Sequence, residues 1–193
     1  FQKMLWTNRI FCGMIKDSVY LRDRQMRNLG GIKSMRKVVK FGGSSLASAE
    51  QFKKVGDIIR ADKGRKYVVP SAPGKRFDGD IKVTDMLYAC YAKAEKKEDI
   101  TASIAAIRER YMEIINGLGL SLSLDDQFEV ISENFKKLAG SNYAASRGEY
   151  LNGIIMANYL GYEFIDAAEV IVFHEDGTFL SLIHISRAHE TLR

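Results

Sequence analysis

A short strand that ends in a pair of glycines constrains the fold more than any other stretch of this chain. An apolar β-branched pair leads to Lys40, the glycines Gly42 and Gly43 follow with Ser44, and a periodic helical segment begins at Ala49. This order predicts a strand, a tight turn and a helix. Two glycines let the backbone approach an anion closely, and the turn's N–H groups can point at it beside the lysine charge. The stretch therefore favours phosphate binding, although it matches neither the Walker A nor the Rossmann glycine pattern.

Strand and helix patterns alternate along the rest of the chain. Such alternation predicts an α/β fold with a largely parallel sheet. We expect Gly140 and Gly161 to end helices and Asp176 with Gly177 to form a hairpin turn. The expected strands cover residues 37–41, 66–69 and 163–173, and the expected helices cover residues 49–60 and 83–93 and the apolar stripes at 104–118, 128–138 and 151–159.

The net charge of +5 comes from the first segment of the chain. Residues 1–34 hold seven Lys or Arg and two Asp or Glu, and the rest hold 22 of each sign. The basic balance is thus a poor argument for nucleic-acid binding by the folded part, and such binding stays open only for residues 1–34. No run reaches the about 18 apolar residues of a membrane span. Cys12 and Cys90 have no metal-ligand spacing, so we expect a reduced, cytoplasmic protein without a metal site built from side chains.

The two ends of the chain differ from its middle. Residues 1–34 show no sustained period, and we expect Met35 to be the natural start and the preceding residues to be a non-native or disordered extension. Residues 180–193 show no core period and are expected to be a non-native tail. Residues 35–179 are the expected domain.

Three further groups of residues could bind a ligand. Ser71 opens a Ser-Ala-Pro-Gly loop at the end of a predicted parallel strand, where α/β sheets place their ligands. Thr84 could bind a carboxylate at a helix start or serve as an N-terminal cap. Ser146 and Glu149 have capping-box spacing, and this interpretation competes with one in which Glu149 accepts a hydrogen bond from a substrate ammonium. Ser48 and Gln51 have the same capping-box spacing, and no functional interpretation competes with helix capping there.

Taken in order, these motifs resemble those of the aspartate kinase family. Residues 40–45 (KFGGSS) resemble its KFGGTS opening, with Ser44 in place of Thr, and residues 69–74 (VPSAPG) resemble its VVSAxG signature. Residues 84–87 (TDML) resemble its T-[ND]-x-L helix start, and residues 146–149 (SRGE) resemble its S-x-G-E motif. Four matches in family order, over about Met35 to Phe179, make the resemblance specific.

The resemblance implies a fold, a reaction and a set of roles. The fold would be the amino-acid-kinase fold, a three-layer α/β/α sandwich with a mainly parallel central sheet. The reaction would transfer the γ-phosphoryl group of ATP, with Mg²⁺, to the side-chain carboxylate of L-aspartate in lysine, threonine and methionine biosynthesis. The family's full-length proteins imply a homo-oligomer. The implied roles are transition-state stabilisation for Lys40, phosphate binding for Lys40, Gly42, Gly43 and Ser44, and aspartate binding for Ser71, Thr84 and Glu149.

Departures from the family pattern leave alternatives open. Pro70 replaces an apolar residue before Ser71 and removes a backbone donor. The family's later active-site arginine and aspartate, its nucleotide-binding segments and its ACT domains are expected after Phe179, so we expect the 193-residue chain alone to be inactive. The alternatives are another kinase of this fold, for glutamate, acetylglutamate or UMP, and a non-catalytic phosphate-binding remnant. Phe41 favours aspartate, because those other kinases usually open with KLGG.

Overall fold

The structure, a computed structural model, describes residues 36–170, 172–173 and 179–180. Met35, the tail beyond Leu180 and the expected turn at Asp176 and Gly177 lie outside the described residues. In chain order the elements are β1 (Lys37–Phe41), a 3₁₀ helix (Gly43–Leu46), α1 (Ala49–Arg60), β2 (Arg65–Pro70), α2 (Val83–Glu95), α3 (Thr101–Leu118), α4 (Asp125–Lys136), α5 (Ser141–Leu160), α6 (Ala167–Val170), β3 (Val172–Phe173) and β4 (Phe179–Leu180).

Two paired parallel strands bring the two glycine-containing turns side by side, because one turn follows each strand. Strand β1 pairs with β2 in parallel register, with Lys40 opposite Val69 and Phe41 opposite Pro70. Ser71 continues this ladder, because its N–H donates to the Phe41 carbonyl at 3.0 Å. The missing donor of Pro70 therefore leaves this bond intact. Among the described residues β3 and β4 form a second, antiparallel pair.

The helices form on the apolar stripes that the sequence shows and enclose one core. Ser48 caps α1 by accepting from the Gln51 N–H, as the capping pattern predicts. The helices α3 and α5 end at Gly119 and Gly161, each in a left-handed conformation with φ of 68°. Helices α2, α3, α4 and α5 pack against one another. Their largest fully buried side chains include Tyr111, Phe135, Leu87, Ile107, Ile131 and Leu151. The α/β class with a parallel sheet is confirmed.

Two local predictions are wrong. The stretch 163–173, expected to be a strand, contains the helix α6 before β3, because Asp166 caps a short run of helix formers by accepting from the Ala168 N–H at 3.0 Å. Gly140 does not end a helix. Helix α4 ends at Lys136, and Gly140, with φ of 104°, is instead the residue before α5.

Candidate functional site

The glycine turn after β1 lies directly against the loop after β2. The Gly74 N–H donates to the Gly43 carbonyl at 2.8 Å. A Cβ atom at Gly43 would come within 2.7 Å of the Ala72 carbonyl oxygen, and one at Gly74 would come within 2.8 Å of the Ser44 nitrogen. Backbone contact this close is possible only because both residues are glycine. The two loops therefore form one continuous surface at the end of β1 and β2.

Lys40, Gly42 and Ser44 are exposed on this surface. No side chain caps the 3₁₀ helix that starts at Gly43, and a Cβ atom at Gly42 would meet no heavy atom within 4 Å. Open space at exposed amide groups, beside a lysine and a hydroxyl, suits the oxygens of a phosphate chain. The residues present thus fit the phosphate groups of a nucleotide.

Helix α5 brings Glu149 to the second loop. A Cβ atom at Gly148 would lie 2.8 Å from the Ala72 Cβ, so the helix backbone packs directly on the loop that Ser71 opens. Asn152, fully buried one turn further, donates from Nδ2 to the Ser71 carbonyl at 2.6 Å. Glu149 and Ser71 are therefore held on neighbouring segments, and both side chains are half-buried.

The charge of Glu149 acts on a tyrosine beneath it. Tyr111 on α3 is fully buried, and its hydroxyl donates to the Gly148 carbonyl at 2.7 Å. Burial raises the pKa of Tyr111 well above its usual value, and the negative charge of Glu149 raises it further. Tyr111 therefore stays a neutral hydrogen-bond donor below the residue that would meet a substrate ammonium.

Thr84 joins the same region from α2. The Val83 N–H donates to the Pro73 carbonyl at 3.1 Å, which ties the helix start to the second loop. Thr84 is half-buried and lies inside the helix, where Lys82 is the N-cap residue, so the capping interpretation of Thr84 is wrong. The capping-box interpretation of Ser146 and Glu149 is wrong as well, because both lie within α5, which begins at Ser141. The helix positions of Thr84 and Glu149 therefore exclude the capping alternatives to their functional interpretation.

Sequence reasoning missed an ion-pair network behind the second loop, with a buried arginine at its centre. Arg110 on α3, only 5% exposed, donates from Nη2 to the Gly74 carbonyl at 2.9 Å, and its Nη1 lies 3.4 Å from Asp80 Oδ2. Arg76 also binds Asp80, at 2.9 Å, and Glu113, at 2.7 Å. Burial raises the pKa of Asp80, but the hydrogen bonds from the Arg76 backbone and side chain outweigh it, so this pKa lies below its usual value. No local signal in the sequence could have identified Arg110, because the exposed Arg108 lies only two positions earlier in the same helix.

Comparison with known proteins decides the family. The sequence profile of the amino acid kinase family matches residues 35–190. This chain belongs to the amino acid kinase family. The amino-acid-kinase fold and superfamily that the four motifs imply are thereby confirmed.

Three similar proteins within the amino acid kinase family are aspartate kinases. Aspartokinase 3 of Bacillus subtilis (strain 168) is 39% identical in an alignment 142 residues long, which covers 69% of this chain and 31% of that protein. The crystal structure of Clostridium acetobutylicum aspartate kinase, described as an allosteric enzyme, superposes with a TM-score of 0.72 at 49% identity, over 76% of this chain and 34% of that one. E. coli aspartokinase III, solved with aspartate and ADP, shares the fold with a TM-score of 0.51 at 22% identity, over 66% of this chain and 29% of that one.

The chain spans about a third of the length of these relatives. Within its described part, no helix is long and apolar enough to cross a membrane. The same residues bring no three His, Cys, Asp or Glu side chains together as a metal-binding group.

Proposed function

We propose that this chain forms the phosphate- and aspartate-binding part of an aspartate kinase, which transfers the γ-phosphoryl group of ATP to the side-chain carboxylate of L-aspartate. One observation carries the proposal. Gly43 packs on Gly74 and Gly148 packs on Ala72, so motifs that lie far apart in the sequence meet on one surface. The 49% and 39% identities to aspartate kinases support this reaction over others of the family.

The phosphate side of the site would act by charge and position. Lys40 would bring an ammonium group to the oxygens of the transferring phosphoryl group, the Gly42 and Gly43 amides would donate to phosphate oxygens, and the Ser44 hydroxyl would add a further donor. Phosphoryl transfer spreads charge over the equatorial oxygens, so preplaced donors and cations lower the barrier. When bound, Mg²⁺ would neutralise part of the same charge.

The substrate side would orient the attacking carboxylate. Ser71 and Thr84 would hold aspartate, and Glu149 would accept a hydrogen bond from its α-ammonium group. The nucleophile belongs to the substrate, so no side chain of the protein has to attack. Catalysis would rest on holding the carboxylate in line with the phosphoryl group, and such positioning supplies a large share of enzymatic rate enhancement. By the same resemblance we propose that the protein is cytoplasmic, forms a homo-oligomer and acts in amino-acid biosynthesis.

A product assay distinguishes the candidate reactions. The protein, expressed from its whole open reading frame, is incubated with ATP, Mg²⁺ and aspartate, glutamate, N-acetylglutamate or UMP. Acyl phosphates are trapped as hydroxamates, and UDP is measured by chromatography. We expect hydroxamate from aspartate at a rate at least tenfold above the others. Faster turnover of another acceptor would contradict the proposed substrate, and nucleotide binding without turnover of any acceptor would favour a non-catalytic phosphate-binding protein.

A further inference from the structure

Helix α3 holds both halves of the candidate site through two consecutive side chains. Arg110 donates to the Gly74 carbonyl at 2.9 Å, and Tyr111 donates to the Gly148 carbonyl at 2.7 Å. Both side chains are buried, at 5% and 0% exposure. Their acceptors lie on different segments, the loop after β2 and helix α5. One helix turn therefore fixes the backbone on which each half of the site is built.

The guanidinium of Arg110 is buried, and burial of a charged group costs free energy. A charged group inside a protein is retained only when it is paired and hydrogen-bonded. Asp80 supplies the opposite charge at 3.4 Å, while the Gly74 carbonyl supplies the hydrogen bond. Among the described residues Nε and Nη1 of Arg110 have no hydrogen-bond partner. The guanidinium is therefore held by the hydrogen bond to Gly74 and the ion pair with Asp80, both in the segment that follows the second strand.

Movement of Gly74 would move the phosphate-binding turn. The Gly74 N–H donates to the Gly43 carbonyl, and its Cα has no room for a Cβ against the Gly43–Ser44 peptide. Close-packed backbone transmits displacement rather than absorbing it. Arg110 therefore acts on Gly43 and Ser44 through Gly74, without touching a phosphate itself.

Tyr111 acts on the opposite half. Its hydroxyl fixes the Gly148 carbonyl at the point where α5 packs on Ala72, one residue before Glu149. The direction of the Glu149 side chain depends on how far this helix turn lies from the loop that Ser71 opens. Removal of the hydroxyl leaves the Gly148 position without its hydrogen bond from α3.

We propose that Arg110 and Tyr111 are positioning residues with separate duties, Arg110 for the phosphate-binding turn at Gly43 and Tyr111 for the aspartate-binding side at Glu149. The proposal rests on the proposed function for the assignment of the two ligands. The structural part, that each side chain fixes a different backbone segment, stands on the contacts alone.

Steady-state kinetics of Arg110→Gln and Tyr111→Phe in the whole protein test whether each side chain positions a different half of the site. We expect Arg110→Gln to raise the KM for ATP about tenfold or more and to lower kcat, with less than a threefold change in the KM for aspartate. We expect Tyr111→Phe to raise the KM for aspartate by about fivefold and to leave the KM for ATP within twofold. A purely structural role would change both KM values together, so equal changes, no change or the reverse pattern would overturn the proposal.

Two controls separate this result from general damage. Arg108→Gln alters a half-exposed arginine of the same helix that pairs with Asp125, away from both loops, and should leave both KM values unchanged. If Arg110→Gln does not fold, Arg110→Lys keeps the charge beside Asp80 and should show the same pattern with smaller changes.

Amide hydrogen exchange provides a readout that needs no activity. We expect Arg110→Gln to speed exchange of the Gly74 amide at least tenfold while the Ile114 amide in α3 changes less than threefold, and we expect Tyr111→Phe to leave the Gly74 amide unchanged. If the unsubstituted protein shows no aspartate kinase activity, the proposed function fails. Amide hydrogen exchange then still tests whether Arg110 positions Gly74. Gly74 exchange that stays at the unsubstituted rate in Arg110→Gln would overturn the positioning itself.

Discussion

Substitution of Gly43 by alanine tests whether the two glycine-rich loops are truly in backbone contact. The new Cβ would lie 2.7 Å from the Ala72 carbonyl oxygen and 3.1 Å from the Gly74 nitrogen. Both neighbours are backbone atoms, so no flexible side chain can move aside. The loops must separate by several tenths of an ångström, and the 2.8 Å bond from the Gly74 N–H to the Gly43 carbonyl lengthens or breaks.

The expected loss of stability follows from these two effects. Overpacking in a well-packed region costs about 1–3 kcal/mol. A lost intramolecular hydrogen bond adds about 0.5–1.5 kcal/mol. We therefore expect Gly43→Ala to lower the free energy of unfolding by about 2–4 kcal/mol. For a chain of this length that change corresponds to a fall in Tm of about 4–16 °C.

Gly42→Ala is the matched control, one residue away. A Cβ at Gly42 would meet nothing within 4 Å, and its φ of −78° suits any residue. We expect its free energy of unfolding to stay within about 0.5 kcal/mol of the unsubstituted protein or to rise slightly. Urea unfolding followed by circular dichroism compares the two variants. Equal stability of Gly43→Ala and Gly42→Ala would refute the close contact between the loops.

Three further predictions concern buried groups near this surface. Gly148→Ala should lower the stability of the protein in urea, although alanine has the better helix propensity, because the new Cβ would lie 2.8 Å from the Ala72 Cβ. Adding Ala72→Gly should recover the lost stability. Burial and the charge of Glu149 raise the pKa of Tyr111 above its ordinary value of 10.0, so the unfolded chain loses this proton first. The free energy of unfolding should therefore be intact below about pH 10 and fall above it, and Tyr111→Phe should flatten the fall measured by urea titrations. Burial raises the pKa of Cys90 to about 11, so Ellman's reagent at neutral pH should label it far more slowly in the folded protein than in urea, and equal rates would contradict its burial.

Local signals predicted the elements whose ends carry strong residue preferences. Strand β1 and helix α1 follow the sequence expectation because a glycine pair ends the first and Ser48 caps the second. Helix α6 was missed because its four residues, Ala167–Val170, are too few to show a period beside β-branched neighbours. Gly140 was assigned to the preceding helix because glycine is much commoner just after a helix than before one, whereas here it is the N-cap residue of α5.

The site residues that were missed make contacts at long sequence separation. The bond from Arg110 to Gly74 spans 36 residues, and the bond from Asn152 to Ser71 spans 81. No local pattern distinguishes Arg110 from the exposed Arg108 two positions earlier. Motif order predicts a set of candidate ligand-binding residues, whereas the residues that hold those motifs in place became visible only once the helices were packed.

Loss of the Lys40 charge tests the proposed phosphoryl transfer most directly. Lys40→Met keeps most of the length of the side chain and removes its ammonium group, and Lys66→Met makes the same change at an exposed lysine of the neighbouring strand. In the whole protein, with aspartate and ATP saturating, we expect Lys40→Met to lower the kcat for aspartyl hydroxamate formation by about 10²–10³-fold, the usual effect of one lost transition-state donor. Lys66→Met should keep full activity. A Lys40→Met enzyme that retains more than a tenth of the unsubstituted kcat would contradict a catalytic role for Lys40 at this site.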